Sequence, residues 1–317
     1  MIQNRREFIS TIATAGAALP FASNFKTLST EPAVSKFQVR LFSKPLDRYE
    51  FGFMCECLNK TGIEGFDLTV RPAGKIEPAN VETELPKLIE EAKKYKLAVD
   101  MIVTGILTGK DPFAEKILKT AADSGVKYYR LGWYSYDNSN GVWDTLQRHR
   151  YSFKEVVELN RKYKIHGGYQ NHSDGRVGGP VWDLKELLRD FPLEYAGVQY
   201  DVRHAMVEGA TSWIYGMRLI SDHIKTLAIK DFTWITENGR PKFVDVPMGE
   251  GMVDWDLYFK TVKELNITGP ITLHVEYPLF EKGEEKLALN QQQEILVRKI
   301  KKDMDFLKSY LQKYQLI

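Results

Sequence analysis

Short apolar runs and amphipathic stretches alternate eight times along the chain. The runs fall at residues 37–43, 65–70, 97–103, 126–131, 165–171, 197–202, 224–231 and 271–276. Several are continuously apolar, as parallel strands covered on both faces are. Between them, Leu85, Leu88, Ile89 and Ala92 predict a helix over 81–95, and Phe113, Ile117, Leu118 and Ala121 predict one over 112–122. Helices over 153–163 and 255–265 follow Ser152 and Asp254, whose short polar side chains can cap a first turn. Gly62, Gly125 and Gly269 stand just past helical stretches, where a left-handed residue closes the last turn. A charged amphipathic segment predicts a long closing helix over 291–314.

Eight strand–helix units in roughly 250 residues predict an α/β chain folded as a (β/α)8 TIM barrel. The barrel occupies residues 36–317 as a single domain with an extra C-terminal helix. A doubly wound open sheet is the alternative, but no Gly-rich phosphate loop follows the first strand to support it. Residues 1–28 read as an export leader and linker. Arg5 and Arg6 precede a short apolar run rich in Ala and Thr that ends near Ala22, the pattern of a twin-arginine signal. The run is too short to span a bilayer, and no cysteine follows it to carry a lipid. The expectation is an exported, periplasmic protein with no stable membrane anchor; a basic start with a short helix is the alternative.

Composition narrows the partners. The chain has 44 Lys and Arg against 42 Asp and Glu. Three of those bases and one of those acids lie in the first 26 residues, so the remainder balances. Such a surface has no basic field to attract nucleic acid or an anionic membrane. Cys55 and Cys57, two apart in a predicted helix, suit neither a disulfide framework nor a zinc knuckle and read as small buried apolar residues. Nothing in the sequence fixes an oligomeric state.

In a barrel of this kind chemistry gathers where strands end and the following loops begin. Those positions hold Asp67 and Arg71 on the second strand, Arg130 and Trp133 on the fourth, and Gln170, Asn171 and His172 on the fifth. The sixth ends in Asp201, Arg203 and His204, the seventh in Lys230 and Asp231, and the eighth in His274 and Glu276. Asp201 and Glu276, with Gln170, His172 and His204 beside them, form a donor set suited to Mn²⁺, Mg²⁺ or Zn²⁺. Such an ion polarises a sugar carbonyl while a neighbouring carboxylate moves a proton. Lys230 and Asp231 also read as a plain ion pair. Trp133, Trp234, Trp143 and Trp182 stand at loops or helix starts, where aromatic faces beside polar groups suit a sugar; Trp213 and Trp255 read as packing residues. The long polar and aromatic stretch over 134–150 reads as a lid or specificity loop.

Five segments carry a family resemblance: Gly65-Phe66-Asp67-Leu68, Tyr200-Asp201-Val202-Arg203-His204-Ala205, Ile229-Lys230-Asp231, Pro247-Met248-Gly249-Glu250-Gly251 and Glu276. In this order they resemble the xylose-isomerase-like sugar isomerase/epimerase family over roughly residues 37–310. The resemblance implies a divalent ion held by Glu, Asp, His and Glu from the last four strands. Asp201 and Glu276 match that pattern, whereas Gln170 stands for the first glutamate and Ala228 for the histidine. His172 and His204 are the candidate substitutes. The implied activity is proton abstraction beside a sugar carbonyl by Asp201 or Glu276, with Lys230 stabilising the enolate. Asp67, Arg71, Trp133, Asn171, Arg203 and Trp234 would hold the carbohydrate. Isomerisation or epimerisation is the first reading. A keto-sugar lyase on the same site and a non-catalytic periplasmic sugar-binding barrel are the alternatives. A nuclease of the same broad fold is disfavoured by the neutral charge, the few histidines and the leader.

Overall fold

The computed structural model describes residues 37–317 except Asn138, so the leader expected over 1–28 lies outside the described residues. Eight parallel strands close into a barrel in the order β1 (Val39–Phe42), β10 (Ile271–Leu273), β7 (Ile224–Ile229), β6 (Ala196–Asp201), β5 (His166–Gln170), β4 (Tyr128–Arg130), β3 (Ala98–Thr104) and β2 (Gly65–Val70). Closure excludes the open-sheet alternative. The register sets Asp201 beside Ala228, and Ala228 beside Thr272, so the ends of β6, β7 and β10 meet at one rim. Surrounding the barrel are α1 (Phe51–Asn59), α2 (Val81–Lys94), α3 (Ala114–Asp123), α4 (Val142–Tyr163), α5 (Trp182–Leu187), α6 (Val202–Gly209), α7 (Trp213–Leu219) and α8 (Trp255–Glu264). The last helix, α9 (Leu289–Lys313), buries Leu296, Ile300, Met304, Leu307 and Leu311 on one stripe and packs against α1 and α8. Among the described residues no helix is long and apolar enough to cross a membrane.

Several local expectations hold. The Asp254 carboxylate accepts from the Leu257 amide at 2.9 Å and caps α8. Gly62 and Gly125 have φ of 79° and 86° at their helix ends, whereas α8 is closed by Asn266 (φ 50°) and Gly269 (φ 112°) lies beyond it. At Gly269 a Cβ would stand 2.0 Å from the Lys225 carbonyl, so only glycine fits the turn into β10. Cys55 and Cys57 are free and fully buried in α1, and Trp213 and Trp255 pack inside.

Other expectations are corrected. The helix predicted over 153–163 starts at Val142, so Ser152 lies inside it and caps nothing, and most of the expected 134–150 loop is helical. The signal was weak because the added turns bury only Thr145 and Leu146 before Phe153. The seventh barrel strand ends at Ile229, and Asp231 begins an antiparallel hairpin, β8 (Asp231–Glu237) and β9 (Arg240–Val246). Its turn is Asn238-Gly239, both at positive φ (53° and 74°), which matches the right-handed strand twist.

The chain returns from the hairpin through a 247–253 loop that two carboxylates hold. Asp303, on α9, accepts from the Met248 amide at 3.1 Å. Burial pushes its carboxyl up to about 7, against the opposing pull of that amide and of the Tyr277 hydroxyl. A carboxyl raised in the folded state keeps its proton while the unfolded chain loses its own, so stability falls as pH climbs from about 4 to 7 and stays reduced above. Asp303→Asn keeps the acceptor for Met248 without that penalty. It is expected to melt higher than the wild type at pH 8, by the equivalent of about 2–3 kcal/mol, and about equally at pH 4. Thermal melts at the two pH values check this, and equal shifts at both would refute it.

Candidate active site at the C-terminal rim

The inward-facing positions of this barrel are unusually polar. Asp67 reaches across from β2 to accept from Thr272 Oγ1 at 2.9 Å and from Gln199 Nε2 at 3.4 Å, and its Oδ1 has no partner. Burial raises its carboxyl, opposed by His274, Thr272 and Arg130. Asp67 is therefore sealed in the barrel interior beneath the rim rather than on the rim cavity.

That cavity encloses about 30 Å³, lined by Phe42, Lys44, Arg71, Arg130, Trp133, Gln170, His172, Lys230, His274 and Glu276. Its charged centre is Lys230, whose ammonium lies 2.6 Å from Glu276 Oε2 and 3.4 Å from Asp201 Oδ2, with Lys230 and Asp201 both buried. The second Glu276 oxygen accepts from Lys44 at 2.9 Å, on the solvent side. Burial pushes Glu276 up, but Lys230, His274 and Lys44 outweigh it and hold the carboxyl well below the usual glutamate range. Asp201 is fixed by its neighbour strand: Asn171 pairs with its backbone N–H and carbonyl at 2.8 Å each, and Gln170 Nε2 donates to Oδ2 at 2.8 Å. Arg130 donates to Gln170 Oε1 at 2.5 Å and lies 4.2 Å from the Trp133 ring centroid.

The two histidines can be assigned tautomers from their partners. His204 Nδ1 accepts from the Ser173 amide at 3.2 Å and from Arg203 at 3.0 Å, so its proton sits on Nε2, 3.6 Å from Asp201 Oδ2. Burial, then Lys230 and Arg203, keeps its pKa well below the usual histidine value. His172 Nδ1 donates to the Ser173 carbonyl at 2.8 Å, which leaves the Nε2 lone pair free. Its ring is wedged between His204 at 3.8 Å and Trp133 at 4.4 Å. Burial lowers its pKa to about 4, so the ring is neutral at pH 7.

Of the expected sugar-holding residues, Arg71 and Trp133 line the cavity, and the Trp133 Nε1 donor has no partner. Asn171 is buried and orients Asp201. Arg203 pairs with Asp245 of β9 at 2.6 Å and so ties the hairpin to the rim. Trp234, 41% exposed, packs on Phe232 and Phe243 in the hairpin. Phe42 and Lys44, at the end of β1 and in the turn after it, also line the cavity, and their position at a strand end is the sequence signal for them. Asp231 does not pair with Lys230; its carboxylate instead gathers the 247–253 loop.

The donor set does not fit the divalent ion that the fold family implies. Among the described residues no three His, Cys, Asp or Glu are placed to share a metal. Gln170 turns its N–H donor to Asp201 and gives its oxygen to Arg130. Ala228 carries no ligand atom. His204 would ligate through Nε2 only by moving its proton to Nδ1, which would cost two donors their acceptor. The space between the two carboxylates is held by an ammonium.

A family profile described as Xylose isomerase-like TIM barrel matches residues 56–310. Among solved structures, D-psicose 3-epimerase from Clostridium cellulolyticum H10 is similar at 12% identity and TM-score 0.61, covering 87% of this chain and 99% of that one. A probable 3-DHS dehydratase from Bacillus anthracis is similar at 15% and 0.63, covering 86% and 99%. The 3-keto-D-glucoside 4-epimerase from E. coli is similar at 12% and 0.60, covering 82% and 99%. No match was found among curated proteins.

Proposed function

Because the chain belongs to the xylose isomerase-like TIM-barrel family, we propose that it acts on a small keto-sugar by moving a proton at the carbon beside the carbonyl, as an isomerase or epimerase does. The observation that carries this reading is the buried Lys230 ammonium set beside Asp201 and Glu276 in one cavity with the free Nε2 of His172. A ketone oxygen entering against Lys230 meets a fixed positive charge in a site shielded from water, where charge stabilisation is strong. His172, neutral and with an open lone pair, takes the proton from the adjacent carbon. The electron pair settles on the oxygen held by Lys230; a proton delivered to the opposite face of this carbon gives the epimer, whereas delivery to the former carbonyl carbon, with the hydroxyl proton passing to the former carbonyl oxygen, gives the isomer. Trp133 offers an apolar face and an unpaired N–H to the sugar ring, and Arg71 and Lys44 face its hydroxyls. The ketose and keto-glucoside epimerases among the similar structures support a substrate of this class.

A cavity of about 30 Å³ holds about one water. Binding a sugar therefore requires Lys44, 55% exposed, to swing off Glu276. The test is proton exchange in D₂O with D-psicose, D-tagatose and a 3-keto-D-glucoside, followed by NMR. Deuterium is expected to enter at the carbon beside the carbonyl of at least one of them. Saturable binding of these sugars with no exchange in any would replace this reading with a sugar-binding barrel.

A further inference from the structure

We infer that Lys230 is a built-in replacement for a divalent cation, so that the site works with an ammonium held in the chain and excludes a metal ion. The inference deepens the carbon-acid reading and rests on it only for the use of the charge. Three features of the rim converge. Lys230 directly follows β7, two residues beyond Ala228, and its ammonium bridges Glu276 Oε2 and Asp201 Oδ2. One cation thus meets both carboxylates that an ion would need, the buried Asp201 and the partly buried Glu276. Gln170, beside them, presents an N–H to Asp201 where a ligand would present a lone pair, and Arg130 anchors it in that orientation. Lys44 closes the remaining oxygen of Glu276. A divalent ion entering here would face three nearby cations and would have to displace the ammonium that already neutralises its ligands.

The substitution has a chemical consequence. An ammonium offers one charge and directional N–H donors to a developing oxyanion, without the exchange and loss that a bound ion allows. Chelators would therefore leave the protein unaltered.

The test uses Mn²⁺ alone, without sugar, and the full chain. In an equimolar EPR titration the free Mn²⁺ signal is expected to persist in the presence of the wild type, and Mn²⁺ is expected to leave its melting temperature unchanged. Lys230→Ala opens space between the two carboxylates and is expected to melt roughly 5–10 °C lower. Mn²⁺ should then restore about 3–5 °C of that loss by binding only the folded state. A wild type that holds one Mn²⁺ per chain overturns the inference, as does a folded Lys230→Ala chain indifferent to Mn²⁺. If Lys230→Ala does not fold, the wild-type titration decides alone. Absence of sugar exchange together with absence of Mn²⁺ binding would sink the carbon-acid reading and leave the replacement standing.

Discussion

Lys230→Met is expected to slow deuterium exchange on a keto-sugar by about 10²–10³-fold, the range seen when one oxyanion donor is removed from a shielded site. Methionine keeps the length and most of the apolar stem, so the change isolates the charge. The loss should fall on kcat more than on KM, because the ammonium meets full negative charge only as the enolate forms. The same change leaves Asp201 and Glu276 facing each other without their shared cation. Breaking a buried pair by removing one partner costs about 3–5 kcal/mol, and urea unfolding at pH 7 should show it. In the wild type the depressed Glu276 contributes stability that is present above the unfolded glutamate pKa and lost as pH falls through its folded value. Lys230→Met removes that contribution, so its deficit should shrink below about pH 4, where the unfolded carboxyls are protonated too. Unchanged exchange with an unchanged urea midpoint would remove Lys230 from both roles.

Asp231→Asn is expected to lose about 3–4 kcal/mol of stability, a large effect for an isosteric change. The two oxygens of this buried carboxylate collect five donors. Oδ1 accepts from Phe232 and Val253 amides at 2.8 and 3.2 Å. Oδ2 accepts from Gly249 and Gly251 amides at 3.0 and 3.2 Å and from Trp255 Nε1 at 3.1 Å. An asparagine keeps one acceptor and turns an NH₂ group toward the remaining donors, which stay buried and unpaired. The loop it gathers cannot compensate, because a Cβ at Gly251 would lie 2.2 Å from Asp231 Oδ1 and the backbone is already in contact with the carboxylate. The urea midpoint should drop at constant m-value, with the hairpin still paired. A midpoint within error of the wild type would mean that the carboxylate is not what holds the loop.

Asp231 also marks where local reading stops. Next to Lys230 in sequence, it reads as half of an ion pair, yet the chain passes from β7 to β8 between the two, and Lys230 meets Asp201 and Glu276 while Asp231 meets the 247–253 loop. The turn at Asn238-Gly239 was legible in principle, since an Asn-Gly pair between strand-forming residues is a strong hairpin signal. The signal is masked because the apolar run of β7 continues almost without a break into β8, so that one strand reads as ending at Asp231. The first turns of α4 were hidden for a related reason: a surface helix that buries little carries little periodicity.

What the sequence determined by itself was whatever depends on neighbours in the chain. The span of β2, the Asp254 cap, the three left-handed glycines and the eightfold alternation follow from side-chain period and backbone sterics. The strand-end rule then picked out Arg71, Trp133, Gln170, His172, Lys230 and Glu276, all of which line one cavity. Only closure of the barrel decided what these groups do to each other. It sank Asp67 below the rim, spent Asn171 on the backbone of Asp201, and brought Lys44, from the turn after β1, onto Glu276. It fixed the tautomers of His172 and His204 through Ser173, and it set the Lys230 ammonium between two carboxylates from β6 and the end of β10. Those contacts join residues up to 232 positions apart. No local pattern encodes such distances, because they arise from the register of eight strands returning to one ring.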